Sequence, residues 1–397
     1  PVTKKVFIDY QKAEEEVQQL IDRFHFNINA KAKVETLSVG EQQRVEILKA
    51  IYRGARILIL DEPTAVLTPQ EVEELFVIIR TLKEAGTGVV IITHKLKETL
   101  AIADVISVLR LGKLMTHRRP LGNATVEELA NLMVGREVEL NVRSHKDTIG
   151  DVYFKVENLC LTEEGVSKLK NISFDISKGE ILGSAVGEGN GQTPLIEVLT
   201  GLKKANSGKI IKDGKEVVGD SFAFIENRIG HIPEDRLTRG LIPQLTINQN
   251  LILGYHHREA FTDNKGFLKK KDIETYSEKA ILDYGIKTPN GEQPASSLSG
   301  GNQQKIVVAR VIEQNPDVLI IAQPTRGVDV GATEYIHHQI LELKEKGKAV
   351  LLISADLDEV MNLSDRIAVI YDGSIVKVFD SKATANELGL AMAGVVQ

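Results

Sequence analysis

The chain has 397 residues, 26% of them charged, and a formal net charge of -6, so no excess of basic charge argues for nucleic acid as its main partner. One cysteine, Cys160, excludes a disulfide framework or a zinc cluster and reads as a small buried apolar residue. No apolar run approaches the roughly 18 residues of a membrane helix, so no span of its own is expected.

Residues 11–26 place Val17, Leu20, Ile21 and Phe24 at helical spacing, and a second helical pattern covers 40–52. Residues 57–60 are wholly apolar and short, which suits a strand of a buried parallel sheet. A helix over 71–85 and another buried strand over 88–93 follow. Strands and helices alternating at these lengths predict an α/β layer with a parallel sheet. Residues 135–150 are polar without apolar periodicity and place a domain boundary at 140/141. Beyond it, 152–154 and 172–176 alternate like antiparallel strands, 179–186 reads as a strand, a glycine cluster follows, and 195–202 is helical. The start at Pro1, without a methionine or a signal core, reads as a truncation.

Two stretches repeat. LSVGEQQRVEILKAIYRGARILILDEPT at 37–64 aligns without a gap on LSGGNQQKIVVARVIEQNPDVLIIAQPT at 298–325, and the register holds to Gly112 and Gly373. The chain reads as a duplication. The copies differ where charge sits, because Asp61-Glu62 becomes Ala322-Gln323. A short apolar strand ending in two carboxylates brings charge to the sheet edge where ligands bind in open α/β folds. At a phosphate-hydrolysing site the first carboxylate holds magnesium and the second polarises the attacking water. A serine and glycines opening a helix offer a hydroxyl and free N–H groups to an anion.

Both copies resemble the LSGGQ signature of ABC-type ATPases, and the resemblance covers essentially the whole chain. It implies an α/β fold of two tandem ABC-type P-loop ATPase domains, the first (1–140) incomplete and the second (141–397) carrying a degenerate site. It implies ATP and magnesium as cofactors and nucleotides held between the loop of one domain and the signature of the other. The first site would then use Asp61 for the metal, Glu62 as base and His94 as switch histidine, with Ser299, Gly300, Gly301 and Gln303 from the second half. The second would use Ser38, Gly40 and Gln42 with the loop residues Gly189, Asn190, Gly191, Gln192 and Thr193. Asp329, in the linking loop, also belongs to the nucleotide-binding set.

The second loop, GSAVGEGNGQT at 183–193, departs from G-x-x-x-x-G-K-[ST]. Gln192 stands in place of the lysine and Val186 in place of the first glycine; Ala355 matches His94. No aromatic residue lies between Phe154 and Phe174 to stack on adenine. One hydrolytic and one degenerate site are expected. The first copy has no phosphate loop within this chain, so the chain by itself is expected to be inactive.

DEPTAVLTPQE and PTRGVDVGA resemble the tandem ATP-binding subunits of bacterial sugar and nucleoside importers, and Ala-Gln before Pro-Thr-Arg-Gly resembles the nucleoside branch. That implies a peripheral protein at the cytoplasmic face of the cell membrane, bound to permease subunits and served indirectly by an extracytoplasmic substrate-binding lipoprotein. Residues 234–250, with Glu234 where the family carries a glutamine, would contact the permease. Import of simple sugars is the alternative. A soluble ABC translation factor or an ATPase-dead scaffold are readings of another class. The pairs His256-His257 and His337-His338 have no metal-like partners at ligand spacing and read as surface residues.

Overall fold

A computed structural model describes residues 3–4, 7–24, 26, 28–37, 39–64, 67, 69–110, 112–138, 149–187 and 189–395. The chain divides into two compact units, Pro1–Glu137 and Val138–Gln397. Much of the expected boundary stretch, 139–148, lies outside the described residues.

In the first unit the order is β1 (Thr3–Lys4), β2 (Phe7–Ile8), α1 (Tyr10–Phe24), α2 (Val39–Tyr52), β3 (Ile57–Asp61), α3 (Pro69–Glu84), β4 (Gly88–Ile92), α4 (Leu96–Ile102), β5 (Val105–Arg110), β6 (Lys113–Pro120) and α5 (Val126–Val134). Apolar residues at three- and four-residue spacing turn one stripe of α1 inward, where Ile21 and Phe24 are buried. They share a core with Ile47 and Leu48 of α2, Leu58 and Leu60 of β3, and Leu75, Phe76, Ile79 and Leu82 of α3. β3 and β4 pair in parallel, from Ile57 beside Gly88 to Asp61 beside Ile92. The expectation that 57–60 is buried on both faces is corrected within this unit. Alternation sends Leu58 and Leu60 to the core, while Ile57 and Ile59 on the opposite face are 67% and 65% exposed.

The second unit runs β7 (Val152–Glu163), β8 (Val166–Ser177), β9 (Ile181–Val186), α6 (Gln192–Leu199), β10 (Ser207–Lys212), β11 (Lys215–Glu216), α7 (Ser221–Glu226), β12 (Ile229–Ile232), α8 (Ile247–Leu251), α9 (Lys270–Asp283), α10 (Gly300–Ile312), β13 (Val318–Ala322), α11 (Val330–Glu345), β14 (Ala349–Ser354), α12 (Leu357–Leu363), β15 (Arg366–Tyr371), β16 (Ser374–Asp380) and α13 (Ala385–Met392). Its main sheet has the order β12-β13-β14-β9-β15-β16, parallel from β12 through β15. Here the apolar runs are buried on both faces, since β9, β13 and β14 have no exposed residue. Each fully buried Ile, Leu or Val contributes roughly 1.5–3 kcal/mol relative to exposure. A second sheet, β11-β10-β7-β8, is antiparallel.

Four expectations change. The antiparallel strands are much longer than 152–154 and 172–176, because Glu164 (φ 49°) and Gly165 (φ 78°) close β7 and β8 into one hairpin. The helix expected at 195–202 starts at Gln192 and ends at Leu199. Cys160 is half-exposed rather than buried, with its Sγ 3.4 Å from the Asn171 amide. His337 is likewise no surface residue, since it is buried against Glu359, Nε2 to Oε1 3.0 Å.

Candidate phosphate-hydrolysing centre and its degenerate copy

β3 delivers Asp61 and Glu62 to its C-terminal edge, and β4 delivers His94 beside them. Glu62 adopts a left-handed backbone, φ 47°, while its amide donates to Ile92 O at 2.8 Å and so extends the ladder. That conformation in a non-glycine residue costs on the order of 1–3 kcal/mol. It turns the side chain towards the next strand, where Oε1 meets His94 Nδ1 at 2.8 Å. Glu62 Oε2 is buried and has no partner, an acceptor left over for a water or substrate proton. Behind the pair, Thr64 Oγ1 donates to Glu98, and Lys95 Nζ donates to Thr64 O at 3.0 Å. This bracing was not foreseen from the sequence. Its signal is Glu98 and Glu359, which occupy the same register in the two copies.

Asp61 ends β3 with its carboxylate exposed. Among the described residues, no group of three or more His, Cys, Asp or Glu side chains is placed to hold a metal ion alone. Magnesium needs no such cage, because it takes one or two carboxylates, phosphate oxygens and several waters. Asp61 fits that donor set.

The second copy keeps the frame and carries different side chains on it. Gln323 has the same left-handed backbone, φ 46°, and its amide makes the same 2.8 Å bond, here to Ile353 O. Its side-chain oxygen accepts from the amide of Ala355 at 3.3 Å, so backbone stands where the first copy has an imidazole. Thr325 Oγ1 donates to Glu359 Oε1 at 2.8 Å, matching Thr64 and Glu98. Ala322 ends β13 fully buried, without a donor atom for a metal.

The glycine-rich loop follows β9, which lies between β14 and β15 in the parallel set, and α6 opens at Gln192. Gly189 and Gly191 both have positive φ, 85° and 106°. A Cβ on Gly191 would lie 3.1 Å from Gly373 Cα and from Lys168 O. The Asn190 side chain is taken up by the protein, since Nδ2 donates to Gly187 O at 3.2 Å and Oδ1 accepts from the Asp372 amide at 3.0 Å. It shapes the loop rather than reaching out of it. Gln192 is buried with its Oε1 unpartnered. Thr193 Oγ1 donates to Glu234 Oε1 at 3.1 Å, a contact the sequence did not announce.

At the repeated helix starts, Ser299 holds the N-cap position of α10 without capping a backbone N–H, and its Oγ accepts from Asn302 Nδ2 at 2.9 Å. Gly300 and Gly301 form the first turn of α10, with Arg236 beside Gly300. Ser38 lies outside the described residues, and Gly40 is buried in α2 against Glu71. The two glutamines are spent on structure. Gln42 Nε2 donates to Leu37 O at 3.0 Å, and Gln303 Nε2 donates to Ala295 O at 3.1 Å, each pinning the turn before its helix. Asp329 caps α11 by accepting from the Ala332 amide at 2.9 Å.

The chain is similar to known proteins. The profile of the family described as ABC transporter matches residues 2–65 and 169–326. The nucleoside import ATP-binding protein NupA of Lactococcus lactis subsp. cremoris is 43% identical over 99% of this chain and 78% of its own length. The guanosine import ATP-binding protein NupO of Bacillus subtilis is 44% identical over 98% of this chain and 77% of its own length. An ATP-binding cassette of an ABC transporter has a similar fold, with a TM-score of 0.52 and 24% identity over 62% of this chain and 98% of that one. With the strand-end carboxylates, the repeated helix starts and these matches together, the chain belongs to the ABC transporter family.

Proposed function

We propose that this chain is the ATP-binding subunit of a nucleoside importer, built as two tandem ATPase domains of unequal competence. The observation that carries the reading is the bond between Glu62 and His94, with Glu62 Oε2 buried and free to accept, set against Gln323 and Ala355 at the same places. Glu62 is the base that draws a proton from the attacking water, His94 orients it, and Asp61 is the residue that would hold magnesium. ATP and magnesium together supply the electrophilic phosphorus and neutralise its oxygens. Ser299, Gly300 and Gly301 at the start of α10 are read as phosphate-contacting groups. The nucleoside assignment is supported by the relatives, both of which carry nucleoside or guanosine import in their names.

No helix among the described residues is long and apolar enough to cross a membrane, so transport calls for permease subunits. The chain would act on them from the cytoplasmic face, with residues 234–250 as the contact. ATP binding would favour one state of the permease and hydrolysis would release it. A substrate-binding lipoprotein would deliver the nucleoside outside.

The test is uptake of radiolabelled guanosine, uridine, ribose and galactose into vesicles carrying the permease and the full-length subunit. Nucleoside uptake that needs ATP and disappears in Glu62→Gln is expected. Uptake of ribose or galactose with nucleosides excluded would move the assignment to the sugar branch. ATP turnover that survives Glu62→Gln would remove the single-centre reading.

A further inference from the structure

The two copies also differ one residue past the histidine. Lys95 follows His94 at the N-cap position of α4, and Asp356 stands in register with it at the N-cap of α12. Asp356 does what that position asks, since its Oδ1 accepts from the amides of Asp358 at 3.0 Å and Glu359 at 3.3 Å. A lysine has no acceptor, so Lys95 makes no side-chain cap, and it sets a cation at the positive end of a helix. The placement works against α4. Sequences that break a local rule in this way do so mostly where function asks for it.

The Lys95 ammonium is used elsewhere. Its Nζ donates to Thr64 O at 3.0 Å and lies 3.4 Å from Glu98 Oε1, while the other oxygen of Glu98 accepts from Thr64 Oγ1. Thr64 stands two residues past Glu62, and Lys95 one past His94. The ammonium therefore ties the turn that carries the carboxylate to the turn that carries the imidazole. Glu62 has a left-handed backbone, φ 47°, and such a conformation persists only where its surroundings over-determine it. The second copy keeps the bond from Thr325 to Glu359, but there the glutamate is met by His337 of α11, in register with the buried Phe76. An aspartate at 356 cannot donate to Thr325 O as Lys95 does to Thr64 O. The lysine tie is thus confined to the copy that holds Glu62 and His94.

We propose that Lys95 is a positioning residue of the hydrolytic centre, holding the Glu62 turn against the His94 turn where a helix cap would otherwise stand. The proposal rests on the reading of Glu62 and His94 as that centre. The test is steady-state ATP hydrolysis by the protein assembled with permease subunits, with the unfolding temperature of the full chain read in parallel. Lys95→Asn supplies the missing cap and removes the tie. It should lower kcat by about ten- to a hundredfold, the size of a misplaced reacting group. KM for ATP should stay within about twofold, and the unfolding temperature should hold or rise. Lys95→Arg, which can still donate to Thr64 O, should recover most of the rate. An unchanged kcat in Lys95→Asn would overturn the proposal. So would a rate that falls together with the unfolding temperature and does not recover in Lys95→Arg, because Lys95 would then be a structural partner of Glu98 and nothing more. Glu62→Gln is measured alongside. Turnover lost there and kept in Lys95→Asn would sink the role of Lys95 alone, whereas full turnover in Glu62→Gln would sink the reading of the centre itself.

Discussion

Two residues related by the repeat, Glu62 and Gln323, differ by one atom and by most of the chemistry. Both pay the same backbone strain to reach across to the next strand, and only one finds a histidine there. In the protein assembled with permease subunits, Glu62→Gln should lower steady-state phosphate release by about 10²–10⁴-fold, the size of a lost general base. His94→Ala should lower it by roughly 10²-fold through loss of the orienting partner, with ATP affinity little changed. A nucleotide affinity that falls in step with turnover would show that His94 binds rather than orients. Gln323→Glu by itself should add no turnover to a Glu62→Gln protein, because Gln192 and Ala322 remain.

Among the elements, the repeat reaches further than its sequence identity. α2 and α10, β3 and β13, α3 and α11, β4 and β14 keep one offset, and each copy closes with a Thr-capped helix, α5 or α13. The apolar runs and the carboxylates at their ends were legible because buried strands and charge leave strong marks in sequence. α13 was missed although Thr384 and Glu387 form a capping box, a short polar signal hidden by the weak periodicity before it. The contact of Thr193 with Glu234 was not legible, because it joins residues from separate elements through sheet order alone. The exposed face of β3 was misread because four apolar residues in a row do not say whether both faces are covered within one unit. Thr384→Ala should cost about 1 kcal/mol in the second unit. Gly191→Ala should cost more than about 1 kcal/mol, since φ 106° is hostile to a Cβ that would also meet Gly373 and Lys168. Differential scanning calorimetry of the full chain reads both, and an unchanged transition for Gly191→Ala would mean the loop relaxes away from Gly373.

At the scale of the molecule, the second unit is tied at the start of its strands by Asp317. Its carboxylate meets Lys212 at 3.0 Å, Arg228 at 3.3 Å and Lys348 at 3.7 Å, which lie beside β10, β12 and β14. Burial alone would raise the Asp317 pKa, but the bond to Lys212 and the surrounding cations outweigh it and hold the pKa below the ordinary carboxylate value. A pKa depressed by folding stabilises the native state above the unfolded value, and that stability is lost as pH falls through the folded value. The second unit should therefore lose stability as pH drops below about 4. Asp317→Asn should be less stable near neutrality, by about 1–3 kcal/mol, and should show a shallower acid dependence. Urea titrations at a series of pH values measure both, and parallel curves for the two proteins would exclude Asp317 as the staple.

The left-handed turn kept at Gln323 bears on history as well as on chemistry. A fold that had abandoned the second centre altogether would be free to relax that turn, or to place a glycine there. Here the change is confined to side chains on a frame that still matches the first copy. The road back is short: Gln323→Glu and Ala355→His would place the pair on a backbone already bent to receive it. Loss of the pair in this half is thus a change of side chains without a change of fold, and turnover there would also need a lysine at 192 and a carboxylate at 322.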